Sequence, residues 1–254
     1  MEGRDSAQFN SKQLPSLSLA LLQSQWLEGA RSRLLRQAKV HRAQAILDLA
    51  CGWGQVSLEL ARRCSGQIIG IDRLPDATEY ARSRVPAELQ ARVTFETADA
   101  ANLPLASGSQ DIVFIQCGML WMESRACALR ECRRVLKPHG ALVMIEPDYD
   151  GLMEYPPQIA ARDLWCHCVS QAGGLPSVGR QLPALCNANG LSCHAYFLDR
   201  YQPPDPAYLG FLKELLSAQS QVERVLQIEQ LWQQQEQTQI VVHLPFWLVI
   251  AHQA

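Results

Sequence analysis

The hydrophobic rhythm of the chain changes at Ala45. Upstream, Leu14 to Val40 predicts a helix: Leu17, Leu21, Leu22, Leu34 and Leu35 recur at intervals compatible with one face, and Arg31, Arg33, Arg36 and Lys39 supply a polar one. That basic set is read as a solvated face, with a phosphate-binding patch as the alternative. Downstream, apolar runs of strand length alternate with helix-length stretches. Strands are expected at Ala45 to Leu49, Gln67 to Ile71, Val93 to Thr97, Asp111 to Gln116 and Ala141 to Glu146. Helices are expected at Gln55 to Cys64, Pro75 to Ser83 and Glu123 to Val135. Such alternation is the signature of a parallel sheet with helices on both faces.

Past Pro147 the rhythm changes again. Pro156 and Pro157 open a helical region that runs to Asn189, and Gly190 stops it. His194 to Tyr201 is expected to form a sixth strand and Phe246 to His252 a seventh. Between them stand Pro203, Pro204, Pro206 and a helical stretch from Ala207 to Gln235. The fold class is α/β: a doubly wound, seven-stranded, mostly parallel sheet with a helical insertion between strands six and seven. A helical segment, 1–44, is expected to precede a core, 45–254, in which 155–190 and 207–240 act as lid or substrate elements. The glutamine-rich run from Gln233 to Gln239 reads as an exposed helix end.

Composition excludes more than it assigns. The 254 residues, 48% of them hydrophobic, suffice for a substantial core, and a formal net charge of -2 gives no global basic field for nucleic acid. Met1 to Gln13 lacks the basic and apolar regions of a secretory signal, so a cytoplasmic location is expected. No apolar run reaches the length of a membrane span; the longest candidate, Phe246 to Ala251, is strand-length. Nine cysteines form an odd set without a C-x-x-C pair, as expected of buried hydrophobes in a reducing compartment. Cys166-His167-Cys168 would splay its ligands around a helix, so no metal site is expected there or with Cys186, Cys193 and His194.

The chemistry begins at Ile46-Leu47-Asp48-Leu49-Ala50-Cys51-Gly52-Trp53-Gly54-Gln55. This run sets a carboxylate at a strand end and two glycines in the turn entering a helix, where a ligand can approach the backbone closely. Asp72 closes the second strand, at the position from which a doubly wound fold offers an acid to two ribose hydroxyls.

From about Ala45 to Tyr155 the chain resembles the class I S-adenosylmethionine-dependent methyltransferases, in particular the small-molecule type with a D-x-A-C-G-x-G loop. Three further stretches carry the resemblance in order: Thr97-Ala98-Asp99-Ala100-Ala101-Asn102-Leu103-Pro104, Ser109-Gln110-Asp111-Ile112-Val113-Phe114, and the run containing Leu129, Glu131, Arg134, Lys137, Pro138 and Gly140. Ala50 departs from the pattern, since many relatives have glycine there, and bulky Trp53 fills the variable position between the glycines.

The resemblance implies S-adenosyl-L-methionine as cofactor and a Rossmann-like methyltransferase fold. Backbone groups around Ala50, Gly52 and Gly54 would cradle the methionine part, while Asp48 and the Gln116 carbonyl help hold its ammonium. Asp72 would hold the ribose diol, Arg73 would lie against the adenine, Asp99 would accept from the exocyclic amine, and the Ala100 amide would donate to a ring nitrogen.

A small-molecule acceptor is expected near the ends of strands four and five, where Trp121, Met122, Glu146, Asp148, Tyr149 and Tyr155 fall. Asp148 and Tyr149 are the better candidates for its pocket, with turn formation the alternative; Trp121 with Met119 and Met122 reads as a pocket wall or as core. No catalytic base is assigned, because an activated methyl carbon needs mainly alignment and exclusion of water. Two other readings stay open. One is a nicotinamide-dependent oxidoreductase, disfavoured because Ser57 stands where a third glycine would fall. The other is a non-catalytic protein that keeps the cofactor fold.

Overall fold

The computed structural model describes residues 14–197, 205–234 and 239–254. Its strands are β1 (Ala45–Leu49), β2 (Gln67–Asp72), β3 (Val93–Thr97), β4 (Gln110–Gln116), β5 (Leu136–Pro147), β6 (Met153–Tyr155), β7 (Leu191–Phe197), β8 (Val241–His243) and β9 (Phe246–Gln253). Seven of them form one sheet in the order β3-β2-β1-β4-β5-β9-β7. Only β9 runs antiparallel to its neighbours, β5 and β7. The central strands are apolar on both faces through their middles because both faces are covered: Ile46 and Leu47, on opposite faces of β1, are both fully buried.

The helices are α1 (Leu17–Gln37), α2 (Gln55–Arg63), α3 (Pro75–Ser83), α4 (Arg125–Val135), α5 (Arg162–Gln171), α6 (Val178–Ala188), α7 (Tyr208–Leu215) and α8 (Gln219–Gln234). On one face Leu27, Leu34 and Leu35 of α1 share a core with Ile46, Phe114 and Val143. On the other, Leu129, Leu182 and Leu212 from α4, α6 and α7 pack with Leu47, Val113 and Leu142. Strand order reverses between β1 and β4, and the crevice this leaves at the strands' carboxyl ends is where a doubly wound sheet binds ligands.

Polar ties at the amino edge of the sheet and at the loop after β3 are architectural in the fold. Asp111 Oδ2 accepts from the Gln44 and Ala45 amides at 2.8 and 2.9 Å, while its Oδ1 takes the Lys137 ammonium at 2.7 Å. This joins the starts of β1, β4 and β5. Glu131 accepts from the Leu103 amide at 2.8 Å, and Arg134 donates to the Leu103 and Leu105 carbonyls at 3.0 and 2.6 Å. Together they clamp the loop after β3 onto α4.

Several expectations are corrected. Arg31 does not belong to a solvated face: it is 1% exposed, ion-paired with Glu59 and bonded to Ser24 Oγ and Gln116 Oε1. Helical periodicity alone could not show this, because a cation partnered across the core has the same spacing as a solvated one. The stretch from Ala207 breaks at Ser217 and Ala218, whose amides donate to Gln221 Oε1 at 2.9 and 3.0 Å and so cap a separate α8. A small antiparallel pair, β6 with β8, escaped prediction because each strand is three residues long. The sixth strand begins early, at Leu191; its expected end, 198–201, and positions 235–238 of the glutamine-rich run lie outside the described residues. Among the described residues, no helix is long and apolar enough to cross a membrane.

Candidate functional site

The turn between β1 and α2 adopts backbone conformations that few residues tolerate. Ala50, Gly52 and Gly54 have φ of 60°, 50° and 81°. A Cβ on Gly54 would meet Ala81 Cβ at 2.7 Å and Phe95 Cζ at 2.8 Å, so this glycine lets the turn seat against α3 and β3. Ala50 holds its left-handed conformation at a cost of about 1 kcal/mol, which is the physical reason glycine suits that position.

Asp72 fastens the turn. Its Oδ2 accepts from the Gly52 amide at 2.8 Å and its Oδ1 from the Leu74 amide at 3.0 Å. Burial raises its pKa and these amides oppose the rise. Each carboxylate oxygen keeps a further lone pair for a ligand. Asp48 is more enclosed: Ser57 donates to its Oδ2 at 2.5 Å, and burial lifts its pKa to about 7.

From these residues a groove crosses the carboxyl ends of the strands. Asp99 and Ala100 after β3, Asp72 and Arg73 after β2, the turn after β1, and Gln116 after β4 line it in succession. Asp99 Oδ1 accepts from the Ala101 amide at 2.9 Å, which fixes its side chain. Among the described residues Gln55 Oε1 is buried without a partner, and Gln116 Oε1 accepts from Arg31 Nη1 at 3.0 Å.

Trp121, Tyr149, Trp165 and Phe211 line the same groove and make up its aromatic chamber. Tyr149 stacks on Trp165 with ring centroids 4.7 Å apart, and Trp165 meets Tyr208 at 4.9 Å. Among the described residues the Trp165 indole N–H and the Tyr208 hydroxyl are buried without partners. Glu146, fully buried, sets the near wall by accepting from the Gly118, Met119 and Leu120 amides at 2.8, 2.9 and 3.2 Å. Burial raises its pKa to about 8 against the pull of those amides.

The N-terminal segment covers the groove. Leu14 lies against Gly52, Pro15 O accepts from Trp53 Nε1 at 2.9 Å, and the Ser16 amide donates to Glu214 Oε2 at 2.9 Å. Trp26 of α1 packs on Phe211 of α7 at 5.7 Å. One roof thus forms from two helices far apart in sequence.

A family model described as a methyltransferase domain matches residues 46–140. The chain is 30% identical over 209 residues to methyltransferase GfsG of Streptomyces halstedii, covering 81% of this chain and 73% of that one. It belongs to the class I S-adenosylmethionine-dependent methyltransferases. A demethylmenaquinone methyltransferase of Lactococcus lactis is 34% identical over 113 residues, 44% of this chain and 45% of that protein. The chain thus spans about half the length of that relative. Among solved structures, geranyl diphosphate C-methyltransferase from Streptomyces coelicolor, in complex with Mg2+, geranyl diphosphate and S-adenosyl-L-homocysteine, superposes with a TM-score of 0.61. At 14% identity, over 91% of this chain and 82% of that one, the likeness shows the fold alone.

In this methyltransferase Asp48, Ala50, Gly52, Asp72, Arg73, Asp99, Ala100 and Gln116 all line the groove, as do Trp121 and Tyr149. Gly54, Asp148 and Tyr155 do not. Gly54 acts through packing beneath the turn. Asp148 turns away: its Oδ2 accepts from Arg180 Nε at 2.6 Å and Trp247 Nε1 at 3.3 Å, and its Oδ1 from the Gly151 amide at 3.2 Å. Tyr155, 62% exposed, sits on β6. Sequence reasoning missed Pro15, Gln23, Trp165, Phe211 and Glu214, which line the groove from elements distant in the chain. No local motif marks them.

Proposed function

We propose that this chain transfers a methyl group from S-adenosylmethionine to a small, uncharged acceptor with an apolar frame. The observation that carries the reading is the continuity of an acid-lined groove, built on the glycine turn, with an aromatic chamber under a helical roof. The groove fits the cofactor on its own terms. The buried, unpartnered Gln55 Oε1 wants a donor, and the left-handed turn brings backbone close to a ligand. Asp72 would hold the ribose diol, Asp99 and the Ala100 amide the adenine edge, and Arg73 its face.

When bound, S-adenosylmethionine would supply a sulfonium-activated methyl carbon: the acceptor's lone pair would form the new bond as the carbon–sulfur bond breaks to leave a neutral thioether, and an acceptor O–H or N–H would release its proton to solvent. The chain's own residues align and dehydrate. Glu146 holds the turn at Gly118 to Leu120 against the groove, while Trp121, Tyr149 and Trp165 exclude water and orient a flat or apolar acceptor. Arg73, on the adenosine side, is the one cation lining the groove among the described residues, so nothing there matches an anionic acceptor. The described parts of 155–190 and 207–240 serve as substrate elements, joined by 14–44: Trp165, Phe211 and Glu214 come from the first two and Gln23 from the third.

Titration calorimetry with S-adenosylmethionine and S-adenosylhomocysteine tests the reading. Binding of both is expected, followed by radiolabelled methyl incorporation into neutral phenols, alcohols or amines in preference to carboxylates or phosphates. Failure of both to bind at millimolar concentration refutes it.

A further inference from the structure

The roof presents one side of α7 to the groove. Phe211, Glu214 and Leu215 stand three and four residues apart, which sets them on one face of the helix, and all of them line the groove. Phe211 is backed by Trp26 with ring centroids 5.7 Å apart, and Tyr208, one turn earlier, meets Trp165 at 4.9 Å. Lys213, the cation of α7, does not line the groove and pairs with Glu229 at 2.6 Å. Glu214 is half-buried, and the Ser16 amide holds its carboxylate by donating to Oε2 at 2.9 Å. Among the described residues its Oε1 has no partner.

This side of the groove favours positive charge. Trp121, Tyr149, Trp165 and Phe211 supply aromatic rings, Glu214 and the exposed Glu123 supply carboxylates, and the one cation lining the groove among the described residues, Arg73, stands away from them after β2. Rings and carboxylates both attract a cation. Methyl transfer moves a positive charge off sulfur, and with an uncharged amine as nucleophile that charge settles on nitrogen: the nitrogen lone pair forms the new N–C bond as the C–S pair returns to sulfur. Groups already in place around the nitrogen stabilise the charge as it develops. An alcohol or phenol gains less, because a carboxylate beside it opposes the loss of its proton.

We infer that the acceptor is a primary or secondary amine on an apolar frame, and that Glu214 binds its nitrogen. Glu214 Oε1 accepts from an N–H, the rings flank the frame, and the Ser16 amide is the positioning group that holds the carboxylate. The amine attacks as the uncharged base, the form with a lone pair, and the ammonium product gives one proton to solvent. This rests on the methyl-transfer reading above and narrows its neutral acceptors to nitrogen.

The test uses the full chain saturated with S-adenosylhomocysteine and pairs of probes that differ only at the polar atom: phenethylamine and phenethyl alcohol, tryptamine and tryptophol, octylamine and octanol. Titration calorimetry is expected to show at least one amine binding about tenfold more tightly than its alcohol partner, and radiolabelled methyl transfer from S-adenosylmethionine should favour the same amine. Glu214→Gln, which can still accept from the Ser16 amide, should weaken that amine about tenfold and raise its KM more than it lowers kcat. It should leave the alcohol and S-adenosylhomocysteine within about twofold. Phe211→Leu should weaken the amine about threefold. Thermal melts establish that each variant is folded. Preference for the alcohol in every pair, no binding of any amine, or equal weakening of both members of a pair by Glu214→Gln overturns the inference. So does a Glu214→Gln variant that loses S-adenosylhomocysteine instead, which would assign the carboxylate to the cofactor. Wild-type protein that does not bind S-adenosylhomocysteine refutes the methyltransferase reading itself.

Discussion

The two halves of the groove are built on different physics. The half proposed for the cofactor is made of backbone and short acids at strand ends: Asp72 is bonded to two amides, Asp48 to Ser57, and the turn between them is set by left-handed residues. Its geometry follows from about fifty consecutive residues. The half proposed for the acceptor is lined by large rings from α5, α7 and the turns after β4 and β5, held by packing and, among the described residues, leaving the buried Trp165 indole N–H without a partner. A site for an invariant ligand is served by rigid backbone, whereas a pocket for a particular acceptor is served by side chains that can be exchanged without moving the sheet.

The largest effect that should separate the halves is on stability. Trp165→Ala removes a fully buried ring between Tyr149 and Tyr208, and is expected to cost about 3–5 kcal/mol in urea denaturation. The folded fraction should still bind S-adenosylhomocysteine within about twofold; a collapse of cofactor affinity would show the halves to be one unit. Next is Asp72→Ala, which leaves the Gly52 and Leu74 amides unpaired and removes the proposed ribose acceptor. Affinity for S-adenosylhomocysteine should fall about a hundredfold, roughly 3 kcal/mol, in a calorimetric titration.

A third test uses pH. Asp48 and Glu146 titrate near 7 and 8 in the folded protein against ordinary values of 3.8 and 4.5, so the folded state binds more protons between those limits. Stability should therefore fall as pH rises from about 4 to 8, with little further change from these groups above that range. Glu146→Gln removes one titrating group, and its melting temperature should vary less steeply over the same window. A steeper dependence would place the titration elsewhere. The smallest effect belongs to the roof: Trp53→Phe deletes the bond to Pro15 O, about 1 kcal/mol, and should speed S-adenosylhomocysteine release several-fold in stopped flow. An unchanged release rate would mean that the segment over Gly52 does not gate the cofactor.

The cofactor half was legible because its signals are local. Asp48, Gly52, Asp72 and Asp99 each stand at or just past a strand end that hydrophobic alternation locates to within a residue, and the groove collects them. Asp148 shows where such reasoning fails. Its position after β5 is right for a pocket, yet Arg180 and Trp247, 32 and 99 residues away, take its carboxylate. Arg31 fails the other way, since its partners Glu59 and Gln116 lie 28 and 85 residues on and turn an apparent surface charge into a core one.

By itself, then, the sequence determined the order of strands and helices, the left-handed turn and the acids beside it. Those depend on hydrophobic period and on conformations open to few residues, both of which are written within short windows. Only the tertiary structure decided which charges are buried, which way the Gln116 amide points, and which rings wall the groove. Those depend on contacts between residues remote in the chain, where the low dielectric of the interior makes each polar group answer to whichever partner the fold brings to it.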